Sequence, residues 1–310
     1  MDFKQLQSFA AVVKYQSFTK AAEMLYISQP TISTHIRALE EELQSRLVLR
    51  TTKDVEITPR GWELYQCAEK IFLLRDSLVE SWQMETEQVI NLGASTIPSV
   101  YILPEVLPGF LKANSGIQIH IHQGDSREII SQVLEGNIKL GMVGMKGSDE
   151  NLTFLPFYRD TMVLITPATE YYRKWKDEGG VSMEKLLAEP VLLREQGSGS
   201  RKCMENYFLQ TGIREQDLHV AARLNDQEAV KRLVSCGLGV SIISAKAAEN
   251  DCQEGKLLSF SLPGLGAARN LYLVWRNQFI LSEQITRFMG YVQELYEREG
   301  KINKINAQML

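Results

Sequence analysis

"SFTKAAEMLYISQPTISTHIRALEEEL", Ser17 to Leu43, holds two short apolar-periodic segments separated by a turn. The second opens on small polar residues: Ser28, Gln29, Pro30, Thr31, Ser33 and Thr34. Such side chains compete for backbone hydrogen bonds and are disfavoured inside helices, so their place here needs another reason. Ser28 is a good N-cap, and Pro30 fits a first turn, where a missing N–H costs nothing. Ile32, Ile36, Leu39 and Leu43 then share one stripe. Pro30, Thr34, Arg37 and Glu41 share the opposite face, flanked by Thr31 and Ser33. The first turn is therefore polar and uncrowded, with one Arg a turn further on. A major groove accepts a helix of this shape, and Ser, Thr and Gln hydrogen-bond base edges or phosphates there. The pattern predicts a recognition helix; the competing reading is a plain three-helix bundle with a polar outer face.

The flanks extend the pattern. Upstream, Phe3, Leu6, Phe9, Ala10 and Val13 recur at helical spacing, and Ser17 caps a helix whose inner face is Phe18, Ala21, Ala22 and Leu25. Downstream, "RLVLRTTKDVEITPRG" (Arg46–Gly61) alternates as a hairpin should, with Arg50, Lys53 and Arg60 in or beside it. A basic hairpin after two such helices is a wing that touches phosphate or the minor groove. Thr58–Pro59 then starts a long helix without glycine after Gly61. Leu64, Ile71 and Leu78 are seven apart, Cys67 and Leu74 fill the intermediate positions, and Trp82 extends the seam. That is coiled-coil spacing, and it predicts dimerisation. Packing on the chain's own C-terminal part is the alternative burial for such a stripe.

Composition sets bounds. At 310 residues the chain has room for two or three domains. Its net charge is −4, and residues 1–60 carry eight Lys or Arg against seven Asp or Glu. Overall charge does not announce nucleic-acid binding, so any DNA site is a local patch. No apolar run approaches the roughly 20 residues of a membrane span, and "MDFKQLQSF" lacks the pattern of a signal peptide. These features predict a cytoplasmic protein with no membrane partner. Cys67, Cys203, Cys236 and Cys252 are scattered, which argues against a zinc cluster and a disulfide framework.

Taken together, "FTKAAEMLYISQPTISTHIRALEEEL" and "RLVLRTTKDVEITPRG" resemble the N-terminal domain of LysR-type transcriptional regulators. Ser28, Gln29, Pro30, Thr31, Ile32 and Ser33 match the family's recognition-helix pattern. Thr34 and His35 stand where Arg/Lys and Gln/His are common, Gln44 replaces a usual Gly, and Val48 a usual Phe. The resemblance implies an α/β fold class: an N-terminal winged helix-turn-helix (1–60), a long linker and dimerisation helix (61–88), and a C-terminal two-lobed periplasmic-binding-protein-like domain (89–300). One lobe would hold 89–162 and 266–300, the other 163–265, with 301–310 a tail. It implies DNA contacts from Gln29, Pro30, Thr31, Ser33, Thr34, Arg37, Arg50 and Lys53. It also implies a dimer or tetramer through Leu64, Ile71, Leu74, Leu78 and Trp82.

From residue 89 the chain itself reads as alternating strands and helices, which predicts mostly parallel sheets covered by helices. Open α/β sheets bind ligands at the carboxyl ends of strands, beside helix N-termini. Two Ser/Gly-rich stretches fit: "GASTIPS" (93–99) and "REQGSGSRK" (194–202). Ser95, Thr96, Ser99, Ser198, Gly199, Ser200 and Arg201 are the predicted lining of one effector cleft, for a small anion held by helix N–H groups, hydroxyls and a guanidinium. Plain N-caps and turns are the alternative for each stretch.

An enzyme is not expected. The four His are His35, His120, His122 and His219. His120 and His122 share a strand face without a third ligand, so no metal is expected. There is no G-x-S-x-G elbow and no Walker or dinucleotide loop, so no cofactor is expected. A ligand-responsive DNA-binding regulator is the leading function. Alternatives are a regulator that senses redox state through Cys203, beside Lys202, and a solute-binding protein or enzyme.

Overall fold

The structure is a computed structural model that describes residues 1–50, 55–263, 267–298, 300 and 301. The chain divides into two compact units, Met1–Ser81 with Gln278–Ile280, and the remainder.

The first unit opens with α1 (Phe3–Tyr15), α2 (Phe18–Met24) and α3 (Gln29–Glu42), followed by the hairpin β1 (Val48–Arg50) and β2 (Val55–Ile57). The long helix α4 (Pro59–Glu87) begins in this unit. Each short helix starts on a polar cap. Asp2 and Gln5 form a reciprocal capping box, Ser17 accepts from the Lys20 N–H at 3.2 Å, and Ser28 from the Thr31 N–H at 3.3 Å. The core is Leu6, Phe9, Val12 and Val13 of α1, Phe18, Ala21 and Ala22 of α2, Ile32, Ile36 and Leu39 of α3, and Leu47, Val48 and Ala68. Phe3 and Leu43 end the expected stripes half in water.

Three turns of this unit are strained. Gln16, Tyr26 and Gln44 lie in the left-handed region, at φ 49°, 54° and 50°. Gln44 therefore stands at a position whose backbone favours glycine. The predicted cap of α4 has a specific geometry. The Thr58 hydroxyl donates to the Arg46 carbonyl at 2.7 Å and accepts from the Gly61 N–H at 3.0 Å. A side chain at Gly61 would overlap the Leu47 carbonyl and lie 2.7 Å from Ile57 Cγ2. Thr58 and Gly61 together let α4 start directly beneath the wing.

The heptad positions of α4 differ in their surroundings. Leu64 and Ile71 pack against the first unit's own core beside the buried Ala68. Leu78 is half-buried, while Leu74, Val79 and Trp82 are exposed. The early positions of the expected dimer seam are thus used within one chain, because a three-helix unit this small needs a fourth helix to close its core.

The second unit comprises β3 (Val89–Ser95), a π-turn (Pro98–Ile102), α5 (Leu103–Ala113), β4 (Gln118–Gly124), α6 (Ser126–Glu135), β5 (Leu140–Val143), β6 (Leu152–Pro167), α7 (Glu170–Asp177) and α8 (Met183–Ala188). It continues with β7 (Pro190–Arg194), α9 (Gly199–Gln210), a 3-10 turn (Glu215–Asp217), β8 (His219–Leu224), α10 (Gln227–Ser235), β9 (Ser241–Ser244), α11 (Ala245–Gln253), β10 (Leu257–Ser261), β11 (Ala267–Arg276) and α12 (Glu283–Arg298). β3 pairs in parallel with β4 and β5, and β7 with β8. The expectation of mostly parallel sheets fails at the centre. β6 and β11 run antiparallel from Ala267↔Met162 to Arg276↔Leu152. The first half of β6 lies in the group around β3 and β5, and its second half pairs antiparallel with β9 and β10. β6 and β11 are the two strands that join one α/β layer to the other.

Candidate functional site

Two places gather the sequence-selected residues. The first is the outer face of α3. Gln29, Pro30, Thr34 and Arg37 are exposed there, and Thr31 and Ser33 are half-buried. Several polar groups are already engaged. The Gln29 amide donates to Ser33 Oγ at 3.3 Å, and the Thr34 hydroxyl donates to the Pro30 carbonyl at 3.0 Å. Arg37 pairs with Glu41 at 2.8 Å, both side chains being largely in water. The β1 backbone places Arg50 in the wing; the Arg50 side chain and Lys53 lie outside the described residues.

A residue not selected from the sequence organises this surface. Glu40 accepts from the backbone N–H groups of Leu47 and Val48 at 2.9 and 3.2 Å and from Arg46 at 3.0 Å. Its carboxylate thereby fixes the first wing strand to the end of α3. Only its position four residues after Ile36 separates Glu40 from the adjacent Glu41 and Glu42. Between α3 and the wing lies an open groove of about 920 Å³, lined by Ser33, Thr34, Arg37 and Arg46 among others.

The second place is a narrow notch in the second unit. Ser95, Thr96, Ser198, Gly199 and Ser200 meet there with Asp125, Ser126, Gly144, Arg194 and Arg269, around only about 10 Å³ of open space. Asp125 caps α6 by accepting from the Glu128 N–H at 2.8 Å, and Ser198 caps α9 by accepting from the Arg201 N–H at 3.4 Å. The N-termini of α6 and α9 thus both open on the notch. Glycine permits the approach. A Cβ at Gly197 would overlap the Asp125 carboxylate, and one at Gly199 would lie 2.6 Å from the Gly144 carbonyl oxygen.

Two predicted lining residues are displaced from the notch. Arg201 is buried elsewhere: its guanidinium donates to the Arg194 carbonyl at 2.9 Å and to Glu205 at 2.8 Å, and pairs with Glu215. It is a strut of its own lobe, because the turn that Ser198 caps directs it back along the helix. Ser99 hydrogen-bonds Gln123 at 3.1 Å, also outside the lining. The guanidinium groups at the notch are instead those of Arg269 and of Arg194, which reaches Gln227 at 2.8 Å, Glu195 at 2.8 Å and Thr96 at 3.4 Å.

Arg269 was not legible in sequence. It sits on β11, directs Nε and Nη2 at Asp160 Oδ2 of β6, both at 3.0 Å, and points Nη1 toward the Gly144 carbonyl at 3.5 Å. Ser244 donates to the other Asp160 oxygen at 2.7 Å. The pair is 109 residues apart in sequence, which no local pattern signals. Beside it, burial pushes the Cys203 thiol up, partly opposed by Arg269. Among the described residues no three His, Cys, Asp or Glu side chains cluster as metal ligands, and His122 faces Glu128 at 3.3 Å. No described helix is long and apolar enough to cross a membrane.

Comparison with known proteins adds to this geometry. Residues 3–62 match the model of the bacterial regulatory helix-turn-helix protein, lysR family, and residues 84–297 match that of the LysR substrate binding domain. The chain belongs to the LysR family. As a LysR-type transcriptional regulator with an effector-binding domain, it is 33% identical to the uncharacterised HTH-type transcriptional regulator MJ0300 of Methanocaldococcus jannaschii, over 86% of this chain and 90% of that one. It is 29% identical to the RuBisCO operon transcriptional regulator of Allochromatium vinosum, over 94% and 95%. Full-length BenM superposes with a TM-score of 0.61 at 26% identity, covering 99% of this chain and all of that one. The LysR fold explains why the sequence pattern was readable at the N-terminus, where helix, wing and cap follow one another without interruption.

Proposed function

We propose that this LysR-type regulator binds DNA as a dimer and that a small anion entering the notch alters that binding. Residues 1–60 read DNA, 61–88 link and dimerise, and 89–300 bind the effector. Gln29 and Ser33 face base edges, Pro30, Thr31, Thr34 and Arg37 line the groove contact, and Arg50 and Lys53 meet the backbone or minor groove. The exposure of Leu74 and Trp82 on α4 supports the dimer seam in its second half.

One observation carries the effector reading: two capped helix N-termini open on one notch that glycines allow to close. Helix N-termini carry partial positive charge and orphan N–H donors, which suit an anion. The open space is on the scale of one water, so a larger ligand enters only as the lobes part. A ligand that favours one lobe angle shifts the population toward it, and α4 is the covalent route to the DNA-binding domain. The redox alternative has less support, because burial raises the Cys203 thiol, whereas the thiolate is the reactive form.

The test is a metabolite screen by thermal shift, repeated on Thr96→Val and Ser198→Ala. A ligand at about a hundredfold over its Kd stabilises wild type by about 2.7 kcal/mol. Both variants should lose that shift and keep ligand-free DNA binding. A ligand whose affinity neither variant changes would place the site elsewhere.

A further inference from the structure

Beside the notch, and sharing Gly144, Gly199 and Arg269 with it, lies a recess of about 450 Å³. That is the size of a small-molecule site. One face of α9 forms a wall with Lys202, Cys203, Asn206, Tyr207 and Gln210, which recur at helical spacing. Lys146, just past β5, and Ala267–Asn270 of β11 form the others. Three cations line the recess, Lys146, Lys202 and Arg269, and among the described lining residues there is no carboxylate. Lys146 and Lys202 are exposed and make no ion pair among the described residues. Arg269 is balanced by Asp160 behind it and still has N–H groups to give, since its Nη1 contact to Gly144 is long. The recess thus presents two uncompensated positive charges.

We propose that this recess binds a small organic dianion, one acid group at Lys146 and the other at Lys202. The inference rests on the reading of the second unit as an effector-binding domain, and it names the ligand class. Lys146 follows β5 of one layer and Lys202 lies on α9 of the other, so one dianion ties the two together. A monoanion satisfies only one of the two. Arg269, on β11 and paired to β6, sets the same ligand beside both joining strands.

Cys203 is a built-in reporter. Full-length protein is alkylated with iodoacetamide at pH 8.5 and constant ionic strength, with malonate or succinate as probe and chloride as control, and each cysteine is followed by mass spectrometry. Constant ionic strength matters because exposed lysines are screened by salt. At four times the half-saturating concentration a dianion should slow Cys203 alkylation about fivefold. The exposed Cys67 and Cys236 should react unchanged. K146Q and K202Q should each raise the half-saturating concentration roughly tenfold, as loss of a charge-assisted contact does. If Cys203 reacts too slowly to time, the same titration is read by calorimetry. No protection by either dianion, or half-saturation at the wild-type concentration in both variants, overturns the proposal. If the dianions fail while a thermal-shift ligand still requires Thr96, the effector reading stands without it.

Discussion

The outer face of α3 and the notch are both rich in Ser and Thr, and they use them in opposite ways. On α3, Gln29, Pro30 and Thr34 are exposed, and the described hydrogen bonds of the Gln29 and Thr34 side chains stay within their own helix. In the notch, Ser95, Ser126, Ser198 and Ser200 are all buried. Ser126 accepts from the Gly144 N–H at 3.2 Å, a group 18 residues away. The same residue types stay open to solvent on α3 and are buried in the notch. Burial, not composition, separates the two.

The largest effect expected from this contrast is at the joining strands. Asp160→Ala leaves the guanidinium of Arg269 buried without its carboxylate. Such a loss costs about 3–5 kcal/mol, to be read by urea denaturation. A cost within 0.5 kcal/mol would mean that the pair does not hold β6 to β11.

That pair also marks the limit of what the sequence carried. Helices α1 to α3, the wing and the Thr58–Gly61 cap were legible because each depends on residues within about a turn or a hairpin of one another. Ser95, Thr96, Ser198, Gly199 and Ser200 were legible as strand-to-helix junctions, and the structure does bring them together. Arg201 was misplaced because a sequence shows that a cation is near a turn, not which way the turn aims it. That Leu64 and Ile71 also pack within the chain was not legible, because a stripe does not reveal each of its partners. The antiparallel β6–β11 ladder was missed because alternation does not encode strand direction.

A smaller effect is expected at the lobe contact. Gly199→Ala places a Cβ against the Gly144 carbonyl, which is backbone and cannot move aside. Overpacking of this kind costs about 1–3 kcal/mol. Here it should act on the closed form, so small-angle scattering should show a larger radius of gyration. An unchanged radius with unchanged stability would show that the lobes do not close on this glycine.

The contrast is sharpest in a matched pair. Ser126→Ala removes the acceptor of a buried N–H and should cost about 1–3 kcal/mol in thermal unfolding. Ser33→Ala, on α3, should stay within about 0.5 kcal/mol. Equal costs would mean that the two surfaces are not as different as their burial.

The smallest change expected is at the turn after α3. Gln44→Gly relieves a left-handed backbone costing about 1–2 kcal/mol, partly offset by the greater freedom of glycine when unfolded. A net gain of about 0.5 kcal/mol should appear as a higher unfolding midpoint of the first unit. A lower midpoint would show that the Gln44 side chain contributes more than its backbone costs.

DNA reading by the exposed face of α3 is the proposal on which the rest depends. The direct test is fluorescence anisotropy of a labelled duplex from upstream of the protein's own gene, with a shuffled duplex of equal length, for wild type, Gln29→Ala and Ser33→Ala. Wild type should bind the upstream duplex more tightly, and each variant should lose about 1–3 kcal/mol on it with little change on the shuffled one. Wild type binding both duplexes equally, or variants matching wild type on the upstream duplex, would contradict the account.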